Sequence, residues 1–365
     1  MNAVIEEPVA TLTQLSQRRR DALAGTLIGT AVGDALGLPM EGLSARRQQK
    51  LFPRPLRHRF LGRYGMVSDD TEHAFMVGQA LLESSDDILV FQRGLARRLR
   101  WWLIALPAGV GYATLRAILK LWLGLSPARS GVVSAGNGPA MRSALLGVYY
   151  ASDPVRRHQF VRASAEITHR DVRAEVAALA VAEVGAWMAK RAEDLDALWK
   201  SLAELSTVTI WTDMVATLRG AMTNQMSVAE FARRVGAKDG VSGYALQSVP
   251  VAIYSALSHR NDFAKAMEEA IACGGDTDTV GAITGALVGA RVGPTGIPHT
   301  WRQGIAEYPC SPAMLGRVAE KLAQHAEGES ASGSLRYLWP ISLLRNLVFL
   351  FVVLAHALRR SLPPY

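Results

Sequence analysis

Gly25-Thr26-Leu27-Ile28-Gly29-Thr30-Ala31-Val32-Gly33-Asp34-Ala35-Leu36-Gly37 sets a glycine at every fourth position of a largely apolar run. On a helix those glycines share one face, and each costs about 1 kcal/mol relative to alanine. A face without side chains lets another backbone approach very closely. The same spacing returns at Gly281, Gly285, Gly289 and Gly293. Two such faces can pack against each other, or each can abut some other helix; spacing alone leaves both open. If they pair, Glu41, just past the first series, is carried near Asp276 and Asp278, which open the second.

Between the two series, residues 73–83, 88–106, 112–124, 139–151, 155–168, 171–204, 213–223, 227–236, 244–257 and 261–272 read as helices, several separated by Pro- or Gly-rich breaks. No alternation at period two lasts long enough for a sheet, so the expected class is all-α. The Ala-rich helix at 171–190 carries a buried stripe, which makes Trp187 and Met188 core residues. Residues 1–20 read as a flexible N-terminal arm, 21–326 as the working domain, and 327–365 as a polar linker with an apolar C-terminal helix.

The 365 residues carry a formal net charge of +8, with arginines in short groups such as Arg97-Arg98 and Arg156-Arg157 and no long basic tail. That pattern reads as solvated helix faces. No nucleic-acid reading motif accompanies it, so nucleic acid is not the expected partner; the charge also suits a phosphate-bearing substrate. Two cysteines, Cys273 and Cys310, exclude a disulfide framework and a Cys-rich zinc site. Cys273 adjoins acidic residues that oppose thiolate formation, so no nucleophile is read there. Glu6, Glu7 and Pro8 stand where a secretory leader needs a basic start, and the expected location is cytoplasmic.

The segment from Leu338 to Leu358 is strongly apolar but is broken by Pro340, Arg345 and Asn346, and its uninterrupted run from Leu347 to His356 is too short to span a bilayer. A buried or subunit-packing helix is the plain reading. Membrane-surface contact through this tail is the alternative.

Two acidic clusters carry the chemistry: Ser68-Asp69-Asp70-Thr71-Glu72 and Gly274-Gly275-Asp276-Thr277-Asp278-Thr279. Each also suits a helix N-cap, and for either cluster alone a cap is the simpler reading. Together they exceed that need, because a cap uses one side-chain oxygen and each cluster supplies several. Carboxylates and hydroxyls in that density suit a hard cation such as Mg2+ or Mn2+. Gly274 and Gly275 permit a sharp turn at the cluster. Ser134-Ala135-Gly136-Asn137-Gly138-Pro139-Ala140-Met141-Arg142 has the make-up of a phosphate cradle opening a helix, though Gly-Asn-Gly-Pro is also plain turn chemistry. His169 closes a helical segment, where a structural hydrogen-bonding role is commoner than catalysis.

In this order, Gly33-Asp34-Ala35-Leu36-Gly37 with Glu41, the Ser68 cluster, Gly136-Asn137-Gly138 with Met141-Arg142, Ile167-Thr168-His169, and Gly275-Asp276-Thr277-Asp278-Thr279 resemble the ADP-ribosylglycohydrolases, dinitrogenase reductase-activating glycohydrolases among them. The resemblance spans about residues 22–298. It implies a compact, orthogonal multi-helix domain that holds two Mg2+ or Mn2+ ions and hydrolyses the bond between ADP-ribose and an acceptor.

The resemblance further implies that Ser68, Asp69, Asp70, Asp276, Asp278 and Thr279 ligate the metals and that Glu41, Asp70 and Asp276 serve catalysis. Ser134, Gly136, Asn137, Gly138, Met141, Arg142, His169 and Gly275 would bind substrate. Relatives often carry an aromatic side chain just before the Gly-Asn-Gly loop, where this chain has Ala135. The implied partner is an ADP-ribosylated protein, arginine-linked by analogy with bacterial relatives. The alternatives are a non-catalytic ADP-ribose binder and a hydrolase of a small ADP-ribose conjugate.

Overall fold

In the computed structural model, which describes residues 12–60, 62–84, 86–328 and 333–362, the two glycine faces pack against each other. The opening helix, Leu12–Gly37, runs antiparallel to the helix Thr277–Val292. A Cβ on Gly25 would lie 2.0 Å from the carbonyl oxygen of Gly289, one on Gly29 2.1 Å from that of Gly285, and one on Gly33 2.0 Å from that of Gly281. Any side chain at these positions therefore drives the backbones apart. The Thr277 hydroxyl closes the pair by donating to the Gly37 carbonyl at 2.9 Å.

Both helices are buried along nearly their whole apolar length, and the remaining helices pack around them. The helix Asp69–Ser84 lies against the opening helix, and Val172–Ala189 against the glycine helix. Among the described residues the strands amount to one ribbon, Leu43–Ser44 antiparallel to Gly274–Gly275, with Leu43 opposite Gly275. The fold is all-α, as the sequence predicts. The ribbon is too short for periodicity to register, yet it ties the chain after Glu41 to the residue before Asp276.

Three expectations change. Residues 12–20 belong to the opening helix, where Arg20 pairs with Glu320 and Glu327, so the arm at 1–20 is not borne out there; residues 1–11 lie outside the described residues. The single helix at 171–204 is two, because Arg191 adopts φ of 52° and Asp194 caps a new start at Leu195 through the Ala197 amide. The helix at 139–151 resolves into a 3-10 turn, Ala140–Arg142, and a short helix, Ala144–Tyr149.

The C-terminal helix, Trp339–Arg360, docks by one side. Arg345 donates to both carboxylate oxygens of Glu307, at 2.6 and 2.5 Å, and to the Val67 carbonyl at 2.5 Å. Asn346 donates to the Ala105 carbonyl and a His356 ring nitrogen meets the carbonyl of Arg59. Its other side is exposed.

Candidate functional site

Asp34, on the opening helix, is fully buried and accepts hydrogen bonds from the backbone amides of Ser68, at 3.0 and 2.9 Å, and of Thr71, at 3.2 Å. The Thr71 hydroxyl donates to it as well, at 2.5 Å. Amides at the start of the helix Asp69–Ser84 are thus capped from another helix. That frees the carboxylates of Asp69 and Asp70. At the second cluster Asp276 occupies the N-cap position of Thr277–Val292 but makes no side-chain capping bond. Its Oδ2 instead accepts from Asn137 Nδ2 at 2.6 Å, which also donates to Ser248 Oγ at 3.1 Å. Neither acidic cluster is explained by capping.

The clusters meet. Thr279 donates its hydroxyl to Asp70 Oδ2 at 3.1 Å, and Ser68 donates to the same oxygen at 3.1 Å. Asp70 Oδ1 and Asp278 Oδ1 are buried with no hydrogen-bond partner among the described residues. Burial raises the carboxyl of Asp278 well above its ordinary range, and Glu41, Asp276, Asp70 and Asp34 add to it. Asp69 is raised by burial and then by Asp34, Glu72 and Glu41; Asp70 by burial and then by Asp34, Asp69 and Asp276. Repulsion of this kind is relieved by protons or by a bound cation.

Glu41 stands at the rim. Gly42 N–H donates to the Gly275 carbonyl at 2.7 Å, which holds Glu41 beside the second cluster. Glu41 keeps an exposed surface, yet desolvation and then the charge of Asp276 raise its carboxyl, with Arg360 opposing. Arg360 also donates to the Glu41 carbonyl oxygen at 2.5 Å.

The cleft these residues line has a volume of about 770 Å³, within the range of small-molecule sites. Of the sequence candidates, Glu41, Ser68, Asp69, Ser134, Gly136, Asn137, Gly138, Met141, His169, Gly275, Asp276, Asp278 and Thr279 all face it. The loop at 134–138 is pinned by Asn137 N–H to the Gly243 carbonyl at 3.0 Å and by Ala245 N–H to the Ala135 carbonyl at 2.8 Å. His169 packs on its glycines: a Cβ on Gly138 would lie 3.0 Å from the ring. Burial and then the charge of Arg142 press the His169 imidazole down to about 3, so it is neutral near pH 7.

Two candidates sit behind the cleft. Arg142 is fully buried and does not reach substrate; it donates to Ser164 Oγ at 3.0 Å, to the Gly138 carbonyl at 3.2 Å and to Thr168 Oγ1 at 2.8 Å, which makes it a positioning residue for the loop and for His169. Asp70 also lies below the lining, held by Ser68 and Thr279. The loop runs into a 3-10 turn, Ala140–Arg142, and not directly into the α-helix end that a phosphate cradle of the predicted kind would use.

Sequence reasoning missed Asp34, Tyr112 and Arg116. Tyr112 and Arg116 line the cleft from the start of the helix Tyr112–Trp122, with the guanidinium 5.5 Å from the ring centroid. Spacing of four on a helix was the available signal, but nothing in it distinguishes a ligand face from a solvated one. Phe349 and Val353 of the C-terminal helix also line the cleft, on the side of Leu38 and Glu41.

Residues 15–332 match the ADP-ribosylglycohydrolase family. ADP-ribosylhydrolase ARH3 of Gallus gallus is 28% identical over 355 residues, which covers 82% of this chain and 93% of the relative. The ADP-ribosyl-[dinitrogen reductase] glycohydrolase of Rhodospirillum rubrum is 24% identical over 295 residues, covering 77% and 89%. A solved structure titled ADP-ribosylglycohydrolase-related protein complex superposes with a TM-score of 0.62 at 27% identity, over 85% of this chain and 99% of that one. The family and these relatives indicate ADP-ribosyl glycohydrolase activity. The match ends before Trp339, so the helix that walls the Glu41 side lies outside it. Family match, relatives and fold agree: this chain belongs to the ADP-ribosylglycohydrolase family.

Proposed function

We propose that this chain releases ADP-ribose from an arginine side chain of a modified protein and that it does so with two Mg2+ or Mn2+ ions. The observation that supports it most is the joining of both acidic clusters through Thr279 and Asp70 while Asp34 takes over the cap. A cytoplasmic setting fits the reading.

The donor set fits hard cations, because it is all oxygen and includes two buried carboxylate oxygens without partners. Among the described residues no group of three or more His, Cys, Asp or Glu side chains is arranged to hold a metal ion. Ligation would have to draw on the hydroxyls of Ser68 and Thr279 as well as on Asp69, Asp70, Asp276 and Asp278. When bound, the ions would supply positive charge against the ribose hydroxyls and the carboxylates.

The protein's own groups do the rest. The amides of Ser134 and Gly138 and the Arg116 guanidinium hold the diphosphate, and Tyr112 offers an aromatic face for adenine where Ala135 has none. His169 stays neutral and keeps the glycine loop in place. Cleavage breaks the bond between the anomeric carbon and the acceptor nitrogen, and water adds at that carbon. Glu41, with its raised carboxyl, takes the proton from the water, and the departing guanidine gains one. Positive charge on the ribose in an oxocarbenium-like transition state faces Asp69 and Asp278.

A panel of arginine-, serine- and nucleic-acid-linked ADP-ribose tests the reading. Release from the arginine conjugate with added Mg2+ or Mn2+, and loss with chelator, is expected. Binding without release from any conjugate would favour a non-catalytic role.

A further inference from the structure

The C-terminal helix, Trp339–Arg360, presents two faces of opposite character. Its inner face is committed to the fold: Arg345 is spent on Glu307, Glu72 and the Val67 carbonyl, and Asn346 on the Ala105 carbonyl. Every exposed position from 341 to 358 is apolar, with Leu344 62% exposed, Phe351 74%, Leu354 59% and Leu358 68%. A helix solvated on that side would carry charges there. The face continues onto Trp101, 51% exposed, whose ring meets both Trp122 and Trp339. A patch of this kind calls for a cover.

Charge selects the cover. The helix contains no acidic residue, and basic residues stand at both ends: Arg336 before it, and Arg360 at its end with Arg47, which donates to the Arg360 carbonyl. Two copies paired through this face would bring basic ends together with no carboxylate on the helix to meet them. An anionic lipid surface supplies both the apolar layer and the negative charge, with tryptophans at the boundary.

We propose that this helix lies flat on an anionic bilayer surface, its outer face in the acyl boundary and its inner face still walling the cleft. Although its uninterrupted apolar run is short, the 22-residue helix contains an 18-residue window of mean hydropathy 2.1, which by length and composition alone would suffice to cross a bilayer. Crossing would pull Arg345 from buried Glu307 and Glu72, so the docked geometry permits only the interfacial arrangement. Because Phe349 and Val353 face the cleft from the same helix, docking sets the cleft mouth beside the membrane.

Flotation of the full chain with vesicles tests this without reference to hydrolysis. The wild-type chain is expected to float with vesicles of equal parts phosphatidylcholine and phosphatidylglycerol, and severalfold less with phosphatidylcholine alone or in high salt. The variant Leu347→Asn/Phe351→Asn/Leu354→Asn, all outer-face positions, should float at least about tenfold less. Brominated acyl chains should quench wild-type tryptophan fluorescence, a readout that needs no variant. Equal flotation of wild type and variant, absence of wild-type flotation and quenching, or a wild-type dimer that the triple substitution dissociates without any vesicle binding would overturn the proposal.

Discussion

The Thr279 hydroxyl donates to Asp70 Oδ2 at 3.1 Å, joining two residues 209 positions apart. That bond exists because glycines space the helices beneath it. Gly33 lies against the Gly281 carbonyl so closely that a Cβ would come within 2.0 Å. The site thus depends on backbone contact well outside its own lining.

Gly33→Ala should therefore destabilise the protein by about 2 kcal/mol or more, through overpacking against rigid backbone, and should lower activity as Glu41 moves from Asp276. Gly316, on the helix Pro312–Ala326, has nothing within 4 Å of an added Cβ. Gly316→Ala should stabilise by about 0.5 kcal/mol. Thermal melts of both variants check the contrast; equal shifts would contradict the packing argument.

Asp34→Ala removes the cap supplied to Ser68 and Thr71. A stability loss of about 1 to 2 kcal/mol is expected, together with weaker divalent-ion binding as Asp69 and Asp70 turn to their own helix amides. Denaturant unfolding and calorimetric ion titration measure the two effects.

Arg345→Met leaves Glu307 and Glu72 buried without their partner. The expected loss is about 3 kcal/mol, read by urea unfolding. A variant as stable as the wild type would show that the C-terminal helix is not docked through this pair.

His169 carries a pH prediction. Its folded value, about 3, lies below the ordinary value of 6.5, so the unfolded chain binds a proton that the folded chain refuses. Stability contributed by this group falls as pH drops from about 6.5 toward about 3, and is flat above that window. Imidazole NMR should show no titration of His169 between about pH 5 and 8. A midpoint near 6.5 would contradict the buried, neutral ring.

Much of this was legible in sequence for a physical reason: glycine at fixed helical spacing and clustered carboxylates are costly patterns, and costly patterns carry information. The glycine faces and the clusters at Ser68 and Asp276 belong to that class, and Glu41 was reached only through its place after the first glycine series and through the family resemblance. Asp34 was not legible, since one aspartate in a glycine face reads like any other until its amide partners, 34 and 37 positions away, are known. Arg142 misled because an arginine beside a glycine loop reads as a phosphate ligand, whereas its guanidinium is consumed by Ser164 and Thr168. Tyr112 and Arg116 join the cleft through tertiary packing alone.

The most direct measurement is ADP-ribose release from an arginine-linked substrate by Asp276→Asn and Asp278→Asn at saturating Mg2+. Removal of either carboxylate should lower kcat by about a hundredfold or more while leaving the fold intact by circular dichroism. Full hydrolysis by either variant would contradict a site built from the two joined acidic clusters.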